Sequence, residues 1–306
     1  MSEFGGQGFQ AVWECPDLFQ LPVDGDPNHT KWVLSISVQS GAPAQGSGMQ
    51  YFIGHFDGTR FINDNPGDMV LWTDFGADFY AGITWDNVPD GKRFWVSWMN
   101  NWSYAVTIPT GDWRSSTSIP RELSLINTAS GIRMVQKPIK ELSSLRCTEI
   151  EWLDQTITPG SNLLSEVNEH VVEIVAEFQT DTATADEFGL RFRKGNGQFT
   201  TVAYDRMNSK LFVDRTLSGV SDFYDAFAAK HEATLFPENN IIRMHIYLDS
   251  ASVEVFGNEG RTVITDQIFP DQKSNIMELY SIGGDVVLNV LRIYPLKKAV
   301  FTRIDE

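Results

Sequence analysis

The sequence predicts an all-β chain in two parts, and three observations carry that reading. Short runs rich in aromatic and β-branched residues recur along the chain, turn-forming clusters separate them, and helical periodicity is nearly absent. In the first part Val33 to Val38, Gln50 to Phe56, Ala81 to Trp85, Arg93 to Met99 and Ile132 to Gln136 each read as a strand. The breaks between them include Ser40-Gly41-Ala42-Pro43, Asp57-Gly58, Asn65-Pro66-Gly67 and Pro89-Asp90-Gly91, all built from turn residues. Strands at this spacing fit a sandwich, a barrel or a propeller, and periodicity does not choose among them.

Lys137 to Arg146 (KPIKELSSLR) is the best short helical candidate, with Pro138 near its start and Ile139, Leu142 and Leu145 three residues apart. It reads as a connector, which divides the chain into residues 1–143 and 144–306. Beyond it the alternation is cleaner. His170 to Phe178, Glu187 to Arg193, Phe199 to Tyr204, Lys210 to Asp214, Ile241 to Leu248, Ser252 to Phe256, Arg261 to Gln267 and Val286 to Tyr294 read as strands. In the first of these, Val172, Ile174, Ala176 and Phe178 make an apolar face, while Val171, Glu173, Val175 and Glu177 make a half-charged one, as expected of a sheet with one wet side. The second part therefore reads as an antiparallel β-sandwich.

Composition bounds the partners. A formal net charge of −16 and a pI of about 4.7 oppose binding to a nucleic acid. No run reaches the roughly 18 apolar residues of a membrane span. Met1-Ser2-Glu3-Phe4-Gly5-Gly6 lacks the basic and then apolar pattern of a secretory leader, so the chain as written reads as cytoplasmic, with export open to a longer parent. Cys15 and Cys147 are too few and too far apart to suggest a disulfide framework or a metal knuckle, and neither metal nor cofactor is expected. The nine tryptophans, concentrated in the first half, either fill a β core or offer indole faces on which sugar rings stack.

One run combines the elements of acid chemistry. Val12-Trp13-Glu14-Cys15-Pro16-Asp17-Leu18-Phe19 puts two carboxylates and a thiol beside an indole. Desolvation by an indole and a rigid proline favours a neutral carboxyl, which is what a general acid needs to protonate a leaving oxygen. An ordinary strand end with a surface glutamate accounts for the same residues.

Trp13-Glu14-Cys15-Pro16-Asp17 resembles the motif of glycoside hydrolase family 32, the levanases, inulinases and invertases, and the chain is similar to bacterial levanases along nearly its whole length. Further runs match that family in order: Trp72-Thr73-Asp74-Phe75-Gly76, Asp78-Phe79-Tyr80-Ala81, Gly82 to Trp85, Trp98-Met99-Asn100-Asn101-Trp102, Ile119-Pro120-Arg121-Glu122-Leu123 and Leu248 to Asn258. The resemblance implies the last blades of a five-bladed β-propeller followed by a β-sandwich, and release of fructose from fructan or sucrose with retention. It implies that Glu14 is the general acid/base and that Cys15 tunes its protonation, with burial without function as the other reading of the thiol. It sets Asp78 near the fructosyl subsite and makes Trp98 and Trp102 either apolar walls of that site or blade packing. Arg121 and Glu122 are expected to form a structural ion pair or strand closure.

The departures from the family are as informative. Retention needs a second carboxylate about 5 Å from the acid. The family takes it from a Trp-Met-Asn-Asp-Pro-Asn-Gly run that nothing here matches, since the most similar run carries the neutral Asn101 at the critical position. The family's Arg-Asp-Pro motif is also missing, and Asp205-Arg206 and Asp214-Arg215 fall in the second part. Blades of roughly 40 to 50 residues allow two of the five in the first part. An open arc exposes strand edges and an apolar flank, so a complementary N-terminal propeller fragment or a second copy is an expected partner besides the sugar. The competing expectation is a non-catalytic fructan-binding fragment.

Overall fold

The computed structural model describes residues 4–299 and is all-β, with only two short 3₁₀ turns, Pro89–Gly91 and Lys140–Leu145, among the described residues. The first half is two antiparallel meanders of four strands each. One comprises β1 (Trp13–Val23), β2 (Asp26–Val38), β3 (Gly48–Phe56) and β4 (Phe61–Asn63), with the short β5 (Leu71–Trp72) returning to β3. The other comprises β6 (Tyr80–Thr84), β7 (Phe94–Trp98), β8 (Arg121–Thr128) and β9 (Gly131–Pro138). A single parallel pairing of Val23 with Leu125 joins them. Alternate residues of facing strands, Phe19, Leu21 and Val23 with Met49, Tyr51 and Ile53 and with Leu123 and Leu125, close one buried core between the meanders.

The second half has two antiparallel sheets. One holds β10 (Ile150–Ile157), β11 (Val172–Gln179), β16 (Ile241–Leu248), β17 (Ser252–Gly257), β18 (Thr262–Gln267) and β20 (Val286–Pro295). The other holds β12 (Glu187–Gly195), β13 (Gln198–Asp205), β14 (Lys210–Leu217), β15 (Lys230–Thr234) and β19 (Ile276–Ile282). Val172, Ile174, Ala176 and Phe178 of one sheet and Phe188, Leu190 and Phe192 of the other lie in the same buried core. The apolar period-two face of β11 read from the sequence lies in this core.

Three expectations need correction. The connector is a 3₁₀ run, not an α-helix, and Lys137 and Pro138 end strand β9. It buries no residue, so no apolar face holds an α-helical register there. The supposed wet side of β11 is covered: Glu173 is 0% exposed. Arg146 Nε and Nη2 each donate to its carboxylate at 2.6 Å, and His245 Nε2 lies 2.7 Å away. Burial works against the Glu173 charge, but these hydrogen bonds outweigh it and lower the carboxyl from 4.5 to about 2. Finally, Arg121 does not pair with Glu122, which bonds Lys92 instead.

Arg121 is wholly buried where the halves meet. It donates through Nη1 to Asp74 at 3.1 Å and Gln136 at 3.0 Å, and through Nη2 to Glu254 and Thr265, both at 2.7 Å. Glu254 and Thr265 belong to the second half, so one guanidinium ties the two together.

Arg121→Met would leave Asp74 and Glu254 buried without their cation, and urea unfolding should report a loss of about 3–5 kcal/mol. A change within ~1 kcal/mol would argue that water replaces the guanidinium. For Glu173 the folded value lies below the ordinary one, so its contribution is complete above about 4.5 and disappears as pH falls toward about 2. The stability gap between wild type and Glu173→Gln should therefore shrink across that window by about 3 kcal/mol. A difference measurement isolates this group from Glu254 and Asp78, whose carboxyls burial pushes the other way. A gap constant with pH would refute the assignment.

Candidate active site

Glu14 stands at the start of β1, beside a bulge. Its partner across the ladder is Ser37, whereas Asp17 already faces Ser35, so β1 carries one extra residue between them. Cys15 absorbs it with φ 45°, in the left-handed region, and Pro16 follows. The second carboxylate of the run is committed to structure: Asp17 Oδ2 accepts Thr84 N at 2.8 Å and Thr84 Oγ1 at 2.7 Å, fixing β1 to β6.

Strand β6 has a matching irregularity. Tyr80 pairs with Trp98 and Ile83 with Val96, leaving one extra residue, and Ala81 takes φ 52°. Ala81 N donates to Ser37 Oγ at 3.1 Å, so Ser37 touches both bulges. The two irregular strand starts face each other, and the Tyr80 hydroxyl donates to Glu14 Oε2.

An aromatic wall surrounds this pair. The Tyr80 ring centroid lies 6.2 Å from that of Trp98 and 6.4 Å from that of Trp102, and the two indoles are 4.8 Å apart. Trp98 Nε1 donates to Ser115 Oγ at 3.1 Å, while Trp102 remains 55% exposed. Burial, then the neighbouring Glu14 carboxylate, pushes the Tyr80 hydroxyl well above the ordinary tyrosine range, so it stays a neutral donor. Glu14 is half-buried and lines an open groove of about 230 Å³ with Trp13, Pro16, Leu34 and Ile36. Trp98 lines a wider groove of about 470 Å³ with Ala81, Ile83 and Val96.

The structure thus brings together Glu14, Trp98 and Trp102, with Cys15 adjacent in the chain. Cys15 is exposed, which removes the reading of a buried, idle thiol; the bulge turns it outward. Asp78 is not in the group. It is 0% exposed, with Oδ1 accepting Tyr104 Oη at 2.7 Å and Oδ2 accepting Arg215 Nη1 and Gln267 N, both at 2.8 Å. Its oxygens are occupied at the contact between the halves. Asn101 is likewise structural, donating to Ala77 O at 2.9 Å and accepting Ser103 N at 3.0 Å.

Tyr80 is the site residue that reading the sequence did not single out. The signal was present in Asp78-Phe79-Tyr80-Ala81, because Phe79 is in the core and strand alternation sends Tyr80 to the opposite face. What sequence could not give is the bulge that aims it at Glu14.

Residues 2–138 match the glycosyl hydrolases family 32 N-terminal domain, and residues 141–295 match glycosyl hydrolases family 32 C terminal. The chain is 52% identical over 303 residues to a levanase of Bacillus subtilis (strain 168), covering 97% of this chain and 45% of the relative. It is 37% identical over 295 residues to the extracellular exo-inulinase inuE of Aspergillus niger, covering 93% of this chain and 55% of that one. The chain spans about half the length of these curated relatives. Among solved structures, the exo-inulinase of Aspergillus awamori superposes with a TM-score of 0.88 at 34% identity, over 97% of this chain and 59% of that one. The sequence matches and the superposition agree: this chain belongs to glycosyl hydrolase family 32.

Proposed function

We propose that the chain is the acid/base-bearing portion of a retaining β-fructosidase that acts on fructan or sucrose, with Glu14 as the proton donor. The observation that carries this is the Glu14–Tyr80 hydrogen bond inside the wall of Trp98 and Trp102. Tyr80 engages Oε2, which leaves Oε1 to face the glycosidic oxygen. Protonated Glu14 would give its proton to the leaving oxygen as a second carboxylate, about 5 Å away, attacks the anomeric carbon. In the second step Glu14 takes a proton from water, and the Tyr80 hydroxyl stabilises the carboxylate in between. The indoles give apolar surface for the sugar ring, and Cys15, beside Glu14, is assigned a tuning role.

In this reading residues 1–143 are the last blades of a five-bladed propeller with their connector, and residues 144–306 are a β-sandwich. The two four-stranded meanders and the shared core of the two later sheets support it. The nucleophile then lies in the portion of the relatives that this chain does not span. The exposed Ile83 and Trp85, near the groove at Trp98, suit cover by a complementary N-terminal segment or a second copy. The levanase and exo-inulinase relatives direct the substrate assignment to fructans, and the extracellular exo-inulinase directs our placing of a longer parent outside the cell. Among the described residues no helix is long and apolar enough to cross a membrane. No observation favours the non-catalytic alternative.

Incubated alone with levan, inulin or sucrose, the chain should release no fructose; turnover would mean that the nucleophile is within these 306 residues. Once the chain is assembled with a nucleophile-bearing segment, Glu14→Gln should slow fructan hydrolysis by about 10²–10⁴-fold. Aryl fructosides, whose leaving groups need little protonation, should lose far less. Equal losses on both substrates would assign Glu14 a structural role.

A further inference from the structure

We propose that Arg215, on β14 of the second half, is a positioning residue for Glu14. Its functional meaning rests on the acid/base reading above, but the coupling itself stands on geometry. Arg215 is 1% exposed and held by the second half's own backbone, with Nε donating to Phe227 O at 2.8 Å and Nη1 to Gln267 O at 3.2 Å. The Phe227 ring lies 3.9 Å beneath its guanidinium. From that fixed frame it reaches into the first half, through Nη1 to Asp78 Oδ2 at 2.8 Å and through Nη2 to Tyr104 Oη at 3.3 Å. Tyr104 Oη in turn donates to Asp78 Oδ1 at 2.7 Å, closing a three-membered buried ring of polar contacts.

The two residues so gripped flank the site symmetrically along the chain. Asp78 precedes Tyr80 by two positions, and Tyr104 follows Trp102 by two. Two residues span at most about 7 Å, and both intervals are stiffened: Phe79 is packed in the core and Trp102 N donates to Ser47 Oγ at 3.0 Å. Together with the bonds of Asp78 to Thr265 O and Gln267 N, this guanidinium therefore sets the origin of the strand that aims Tyr80 at Glu14, and it also reaches the loop that carries Trp102. Beyond Tyr80 the strand bulges at Ala81, so the downstream ladder does not fix the ring by itself. Asp214-Arg215 does not replace the Arg-Asp-Pro motif; in the fold Arg215 serves the acid side of the site. Lysine cannot do the same. An ammonium is a point charge without the fork that satisfies Phe227 O, Gln267 O, Asp78 and Tyr104 together.

The test is the set of indole N–H resonances of the ¹⁵N-labelled full chain, assigned by single Trp→Phe substitutions, in Arg215→Lys and in Tyr104→Phe. Both variants should shift the Trp98 and Trp102 signals and leave those of Trp32 and Trp152 in place, because the latter sit on β2 and β10, outside the ring of contacts. Tyr104→Phe removes only one hydroxyl and decides the matter if Arg215→Lys does not fold. Unmoved Trp98 and Trp102 signals in a folded variant would overturn the proposal. In the assembled enzyme Arg215→Lys should cost about tenfold more on fructan than on an aryl fructoside, a fraction of the full acid contribution; equal losses would overturn the proposal. If Glu14→Gln itself loses equally on both substrates, the acid/base reading fails, while the indole signals still decide separately whether Arg215 holds the wall.

Discussion

Two buried guanidinium groups, Arg121 of the first half and Arg215 of the second, hold this structure in one piece. Each is a costly group to remove from water, and each is tolerable only because it is answered by several acceptors and at least one carboxylate. They point in opposite directions across the same seam: Arg121 reaches Glu254 and Thr265, and Arg215 reaches Asp78. Between them lies residues 74–78, a stretch laid along the edge strand β18. Phe75 N donates to Val263 O at 2.9 Å, Asp78 N to Thr265 O at 3.0 Å and Ala77 N to Asp266 Oδ1 at 3.0 Å. Gly76 is required there, since a Cβ would come within 2.1 Å of Thr265 O. The exposed edge of the second half is thus covered by a piece of the first, which prevents pairing with other chains.

That docking explains why the site forms where it does. The docked stretch leads directly into β6, so the position of Tyr80 is fixed from the seam and not only from its own sheet. Two one-residue bulges then bring the strand starts together, each with a non-glycine residue at positive φ, Cys15 and Ala81. Such conformations are unfavourable for L residues and persist where the surroundings over-determine them. Here the surroundings are specific: Asp17 is bonded to Thr84 beyond one bulge, and Ala81 N is bonded to Ser37 within the other. Burial pushes the Asp78 carboxyl up while Arg215 pulls against it, so the anchor of this arrangement depends on the second half for its charge as well as its place.

Much of the fold was legible where a strand keeps a period of two. Ile241 to Leu248 was read with the bounds that β16 has in the structure, and the buried face of β11 was read residue by residue. Strand β1 was hidden by Pro16 and Pro22, which remove ladder donors and break the pattern. Strand β8 was obscured by Arg121, whose burial depends on acceptors 133 and 144 residues away. The same limit applied to the site. Local runs name Glu14, Trp98 and Trp102, which the structure brings together, whereas the burial of Asp78 depends on Arg215, 137 residues further along. Glu173 looked solvated for the same reason: nothing within its strand announces Arg146 and His245.

In the acid/base reading proposed above, an acid held apart from its nucleophile is physically reasonable in a protein built this way. A nucleophile and an acid need to meet only across the substrate, and each can be held by its own local network. The network around Glu14 closes entirely within this chain: a neutral phenol on one oxygen, indoles beside it, and a buried ring of Asp78, Tyr104 and Arg215 behind it. None of these contacts needs a group from outside residues 4–299. The division of labour therefore runs through the site, not around it, with the half that carries no candidate sugar contact, the later one, fixing the geometry of the half that does.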